Sequence, residues 1–183
     1  MENLSKILKR CRKDDRKAQN ELFHFYADYI MNLTRRYIND KQDAKAIFLE
    51  SFELIFRKMD QYSPKKGTFK SWISKITINQ CLAELRKRRL FYTDELQVVE
   101  SVYQDKLIEE MDAGYLIEMI NKLGEPYNII FNMVVDGYKH KEIASHLDLD
   151  ESTSRSYYMR ARSKLKEQII ELKKTKSWNQ EII

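Results

Sequence analysis

Four glycines and two prolines are all the strong backbone breakers in this chain of 183 residues. That scarcity bounds the fold before any motif is considered. Sheets need frequent turns, and turns draw heavily on Gly, Pro and Asn, so a chain this poor in breakers is expected to be all-α. The few breakers are informative by position. Pro64 and Gly67 interrupt DQYSPKKGTFKSW, Asp60 to Trp72, the clearest loop of the first half, and Gly137 closes an apolar helix in the second. Between them apolar residues recur at three and four. A basic segment over 2–13 places Leu4, Ile7, Leu8 and Cys11 on one side, and Lys17 to Ile38 repeats Leu22, Phe25, Tyr29, Leu33 and Tyr37. Asp40 caps a third helix carrying Ala44, Ile47, Phe48, Phe52, Ile55, Phe56 and Met59, so apolar around its circumference that it is expected to be covered twice. Thr68 caps a fourth, running to about Arg89, with Phe69, Trp72, Ile73, Ile76, Cys81, Leu82 and Leu85 available for burial. Further helices are expected over Gln104 to Leu123 and Glu125 to Val135.

Asp136 to Leu165, DGYKHKEIASHLDLDESTSRSYYMRARSKL, reads as two short helices and a tight turn. Ile143, Ala144 and Leu147 give the first an apolar face, and Ala144 is small enough for a second helix to cross it closely. Asp148 holds the turn, where Asp tolerates the left-handed backbone, and Asp150 is a suitable N-cap for the second helix. Tyr158, Ala161, Leu165 and Ile169 form the inward stripe of that helix. Thr153, Ser154, Arg155, Ser156, Tyr157 and Arg160 are then expected outside, a set that suits a DNA major groove.

Charge sharpens this division. Residues 1–92 carry 21 basic and 11 acidic side chains, 93–121 carry 1 and 8, and 122–183 carry 11 and 9. Two basic blocks flank an acidic link, which favours a nucleic-acid partner. The run Arg86, Lys87, Arg88, Arg89 exceeds what a helix C-terminus needs to complement its dipole. Enzyme chemistry is not indicated: there is no Gly-rich phosphate loop or paired catalytic carboxylate, and His24, His140 and His146 lie apart. No cofactor and no metal is expected. Cys11 and Cys81 lack a CxxC or a nearby His and read as packing residues. The longest apolar runs are too short to cross a bilayer and the N-terminus lacks a signal-peptide core, so a cytoplasmic protein without membrane insertion is expected.

Taken together, the halves resemble a sigma factor of the extracytoplasmic-function (ECF) type, in the sigma-70 family. DAKAIFLESF and FKSWISKITINQCLAELRKRR carry the likeness in the first half, and LGEPYNIIFNMVVDGYKHKEIA with STSRSYYMRAR carries it in the second. The resemblance implies two small helical domains joined by a flexible acidic linker. Residues 1–92 would bind core RNA polymerase and recognise and melt the downstream promoter element, and 93–110 would be the linker. Residues 111–175 would be a four-helix helix-turn-helix domain reading the upstream element, and 176–183 a tail.

Residue by residue, it implies that Asp43, Ile47, Glu50 and Phe52 lie at a surface docking on the polymerase. Tyr62, Ser63, Lys65, Lys66 and Thr68 would belong to a loop that captures an unstacked base, with Trp72, Lys75, Asn79 and Arg86 along the adjoining DNA-facing helix. Lys141, Ser152, Thr153, Ser154, Arg155, Ser156, Tyr157 and Arg160 would meet the upstream duplex. Phosphodiester chemistry would belong to the polymerase, and an anti-sigma protein is implied as a further partner. Against the family pattern, Ala46 and Leu49 stand where acid and amide side chains are usual, Lys139 where a capping Ser is usual, and Ser154 where a β-branched apolar residue is usual. Ala46 and Leu49 motivate a second reading, a sigma-like DNA-binding regulator that does not engage the polymerase productively.

Overall fold

A computed structural model describes residues 4–91 and 113–180, with side chains over 4–87 and 116–172. The expected linker at 93–110 and the last residues of the tail lie outside them. Among the described residues every regular element is helical, and the chain divides into two compact units between Phe91 and Tyr92.

The first unit contains α1 (Leu4–Cys11), α2 (Arg16–Arg35), α3 (Lys41–Arg57) and α4 (Phe69–Phe91), with two short 3-10 turns, Met59–Gln61 and Pro64–Lys66, before α4. Caps set the starts. Asp15 Oδ1 accepts from the N–H groups of Lys17 (2.9 Å) and Ala18 (3.2 Å), and Asp40 Oδ1 accepts from those of Gln42 (2.8 Å) and Asp43 (2.9 Å). Thr68 Oγ1 accepts from the Ser71 N–H at 3.1 Å. The Asp15 cap was not foreseen. Its other oxygen takes a 2.9 Å bond from Arg10 Nε, and that bond, with the cap N–H groups, holds the carboxyl below its usual range.

Ala18, Leu22, Tyr26 and Ile30 turn inward from α2, and Phe48, Phe52, Ile55, Met59, Phe69 and Ile73 meet them from α3, the turn and α4. Phe23 sits between Phe48 and Phe52, its ring centroid 5.6 Å and 4.6 Å from theirs. The stripe of α2 runs 22, 26, 30, 33 rather than through Phe25, which is 61% exposed. One residue of phase is about 100° of helix, enough to take Phe25 out of the core.

In the second unit α5 (Ala113–Asn121), α6 (Tyr127–Val135), α7 (His140–Leu147) and α8 (Glu151–Gln180) are the four helices of the described residues. Ile129, Ile130 and Met133 of α6 are fully buried. Gly137, at φ +90°, ends α6 in a Schellman arrangement: its N–H reaches the Val134 carbonyl and the Tyr138 N–H reaches that of Met133, both at 3.0 Å. Three residues separate α7 from α8. Asp148 takes the left-handed conformation as expected, φ 55° and ψ 53°, and the Leu149 N–H returns to the Ala144 carbonyl at 3.0 Å. The Asp150 carbonyl accepts the Ser154 N–H at 3.0 Å, which places it at the N-cap of α8. At the start of α7 the Glu142 carboxylate accepts from the Lys139 N–H at 2.7 Å. This is half of a capping box, because a lysine side chain cannot accept in return.

Candidate nucleic-acid interfaces

The loop before α4 is held rather than loose. The Arg12 guanidinium at the end of α1 donates to the Tyr62 carbonyl at 2.7 Å, and the Tyr62 hydroxyl donates to the Gly67 carbonyl at 3.3 Å. The Tyr62 ring lies 5.1 Å from Phe69 and 5.6 Å from Trp72, so one tyrosine ties the loop to the first turns of α4. Phe69 is buried. Tyr62, Ser63 and Trp72 are half-buried, while Pro64, Lys65, Lys66, Gly67 and Thr68 are exposed. A half-buried aromatic pair beside two free-standing lysines joins a flat apolar surface to positive charge. Flat apolar surface beside positive charge is the chemistry that suits an unstacked base and its phosphate.

From that pair a polar face runs down α4. Trp72, Lys75, Asn79 and Arg86 fall within about 60° of arc and span about 21 Å of helix, and the last three are exposed. Lys70 is on another side, its Nζ 4.3 Å above the Tyr29 ring. Ser74 donates its hydrogen to the Lys70 carbonyl at 2.7 Å, so Tyr29 must be the donor in the 2.7 Å bond to Ser74 Oγ. Lys87 pairs with Glu84 at 3.5 Å, and the side chains of Arg88 and Arg89 are outside the described set.

The implied polymerase-docking set is divided by α3. Glu50 is exposed and Asp43 half-buried, but Ile47 and Phe52 are each only 4% exposed. Their expected place at the surface is corrected: Ala44, Ile47, Phe48, Ser51, Phe52 and Ile55 form the inward stripe, and the unit's own core occupies them. The outward side carries Lys45, Ala46, Leu49, Glu50 and Glu53, and Leu49 is 51% exposed. Of the apolar residues expected to need a second cover, Ala44, Ile47, Phe48, Phe52, Ile55 and Met59 are already buried and Phe56 is half-buried.

On α8 the outward arc is Ser152, Arg155, Ser156 and Met159, with Arg160 at its edge, all exposed. Lys141 on α7 is exposed as well. Arg155 pairs with Glu151 one turn earlier, which orients its guanidinium along the helix before any ligand arrives. Ser154 was expected in this set and is not. It is fully buried, 0% exposed, one turn ahead of Tyr158, Ala161 and Leu165 on the inward stripe, where its Oγ lies 3.0 Å from His140 Nδ1. Thr153 and Tyr157 are intermediate. The Tyr157 ring meets Tyr127 of α6 edge-on at 5.3 Å, and Lys164 Nζ covers the Tyr127 ring at 4.3 Å. Met159, an apolar residue outside the expected polar set, is 60% exposed at the centre of the arc, four residues from Arg155.

Comparison with known proteins divides the chain in the same way. Residues 22–91 match the family model "Sigma-70 region 2" and residues 113–165 match "Sigma-70, region 4". The chain is 26% identical over 161 residues to the ECF RNA polymerase sigma factor SigE of Mycolicibacterium smegmatis, covering 81% of this chain and 60% of that relative's length. In fold it is similar to the sigma factor RpoE of Bartonella quintana, solved with the anti-sigma factor NepR: TM-score 0.52, 15% identity, 82% of this chain and 95% of that one. The likeness to SigE is to a member of the ECF type, and two regions of one family, in order and together spanning most of the chain, place it: the protein belongs to the sigma-70 family of RNA polymerase sigma factors.

Proposed function

We propose that this chain is a transcription initiation factor that binds core RNA polymerase in the cytoplasm and directs it to a two-part promoter. In this reading 1–92 docks on the polymerase and opens the downstream element, 93–110 is the connection, and 111–175 reads the upstream element, with 176–183 as a tail. The observation that carries it is the α4 face with its loop: the Tyr62–Trp72 pair at 5.6 Å leading into Lys75, Asn79 and Arg86. A helix-turn-helix that reads only duplex has no use for a second face of aromatic rings and cations.

The division of roles follows from chemistry. Lys65, Lys66, Lys75 and Arg86 neutralise phosphates, Ser63, Thr68 and Asn79 hydrogen-bond the captured strand, and Tyr62 with Trp72 stacks or flanks a flipped base. Such contacts offset the few kcal/mol that unstacking costs. Arg155, Ser152, Ser156 and Met159 enter the upstream major groove, where a guanidinium suits guanine and a thioether-bearing chain suits a thymine methyl. Lys141, Thr153, Tyr157 and Arg160 hold the flanking backbone. Asp43 and Glu50, with Leu49 between their turns, form the docking side of α3. The same exposed side is open to an anti-sigma protein, the kind of partner carried by RpoE in its solved complex.

Chemical probing of unpaired thymines tests this reading on promoter-bearing genomic fragments. The chain and core polymerase together are expected to expose a short downstream tract that neither exposes alone. A duplex that stays closed with both present would support the alternative, a sigma-like DNA-binding regulator that does not engage the polymerase productively.

A further inference from the structure

Among the described residues of α8, Ser154 is the one polar residue that is fully buried. Tyr158, Ala161 and Leu165 press α8 against its unit, but burial of apolar surface is non-directional and Ala161 offers little relief for a neighbour to grip. Ser154 differs. Its hydroxyl is fully buried and lies 3.0 Å from Nδ1 of His140, the first residue of α7. The His140 ring is itself held, 5.7 Å from the Tyr158 ring, which stacks on Phe131 of α6 at 5.9 Å and carries the Arg162 guanidinium at 5.9 Å. A hydrogen bond has a preferred direction as well as a distance. Two helices, α7 and α8, therefore meet at one oriented polar contact beside the residues that face outward, and α6 backs it through the Phe131 and Tyr158 rings.

We propose that the His140–Ser154 hydrogen bond sets the rotation of α8 about its own axis, making both residues positioning residues for sequence reading by Arg155, Ser156 and Met159. The proposal rests on the reading of α8 as the upstream-element helix. The lever is short and steep. Side-chain tips stand about 6 Å from a helix axis, so a turn of about 20° sweeps them through about 2 Å. Base-edge hydrogen bonds tolerate only about 0.5 Å. Ser154 is adjacent in sequence to Arg155, and Tyr158, against which His140 rests, is adjacent to Met159. A slip at this contact displaces the readers at once, while phosphate contacts made by long lysines and arginines follow it.

The test uses the full chain and a randomised duplex library. Native protein is used to select a motif, and affinity for the selected duplex is then compared with that for a scrambled one. Ser154→Ala removes the hydroxyl, His140→Phe keeps a ring against Tyr158 without its nitrogen, and His140→Asn sacrifices the ring but returns a polar atom near the Nδ1 position. Melting temperature confirms that each variant is folded. The expected result is that Ser154→Ala and His140→Phe lose about tenfold in discrimination, the worth of one misplaced base contact, with non-specific affinity unchanged. His140→Asn is expected to stay within about twofold of native by keeping the hydrogen bond. Equal discrimination in native, Ser154→Ala and His140→Phe proteins overturns the proposal while leaving the reading of α8 intact. Loss in His140→Asn matched by full retention in His140→Phe assigns the effect to ring packing and also overturns it. A native chain that enriches no motif fails on the reading itself and takes the rotational lock with it.

Discussion

Changing Lys65, Lys66, Lys75 and Arg86 together to Gln is the most quantitative probe of the α4 face. All four side chains are exposed, and the two on α4 share its polar arc with Asn79. The stretch from Trp72 to Arg86 is about 21 Å of helix, the length of about six phosphates at about 3.4 Å each along one strand. Lys75 and Arg86, about 16 Å apart along that helix, can thus take separate phosphates, and the loop lysines Lys65 and Lys66 are assigned two more. Every phosphate neutralised contributes about 0.7 to 0.9 to the slope of log K against log salt, so the fourfold variant should lose about 3 from that slope. Between 50 and 200 mM salt, a loss of 3 corresponds to a native affinity that falls about 60-fold further than the variant's. The assay is equilibrium binding of the chain with core polymerase to a promoter fragment whose downstream element is already unpaired, titrated at four salt concentrations. Lys87→Gln is the control, since Lys87 lies off the arc and is paired with Glu84 at 3.5 Å. Its slope should change by less than about 0.5. A fourfold variant with the native slope would refute the reasoning and return the face to ordinary solvated surface.

Arg155→Ala should cost about 1 to 3 kcal/mol on the selected upstream duplex and much less on scrambled DNA; equal losses on both would make Arg155 a phosphate contact. Ile47→Ala should destabilise the first unit by about 2 to 5 kcal/mol, read as a lowered denaturant midpoint, with polymerase affinity of the folded protein unchanged. Leu49→Glu should do the reverse, and a polymerase defect from Ile47→Ala at native stability would contradict the burial assigned to it. Burial pushes the Cys81 thiol up to about 12 and, with Asp15 nearby, the Cys11 thiol up to about 11, and burial also raises the Tyr138 phenol to about 12. Unfolding releases these protons near the ordinary values of about 8.5 for Cys and about 10 for Tyr. Their contribution to stability is therefore complete below about pH 8.5 and falls as pH rises towards 11 and 12. A urea midpoint that declines from pH 8 to pH 10.5, with both thiols slow to react with a disulfide reagent at pH 8, is expected; rapid native-state labelling at pH 8 would contradict it.

Features that depend on neighbours in sequence were legible, and features that depend on partners distant in sequence were not. Scarce Gly and Pro made the all-α class readable, and Asp40, Thr68, Asp148 and Gly137 act where their local chemistry placed them. Ser154 shows the other case. Its position continues the stripe of Tyr158, Ala161 and Leu165, yet a hydroxyl reads as outward until its partner, fourteen residues away, is known. Tyr157 resembles a free DNA contact in sequence, but Tyr127, thirty residues earlier, half covers it. Ile47 and Phe52 were carried to the surface by resemblance against their own periodicity, which pairs them with Ala44, Phe48, Ser51 and Ile55 inside. Phe25 failed by phase alone. Met159 fell outside the expected set, which was polar, although the groove also presents methyl groups.

The central claim is that two nucleic-acid faces on one chain serve a polymerase that cannot choose its own starting points. Its most direct test is reconstitution: purified chain, core RNA polymerase and sheared genomic DNA, with the 5′ ends of the resulting transcripts mapped. The account predicts a stable complex and a small set of discrete starts sharing an upstream and a downstream element at constant spacing. Absence of the complex, or a complex that begins no transcript from any fragment, would contradict it.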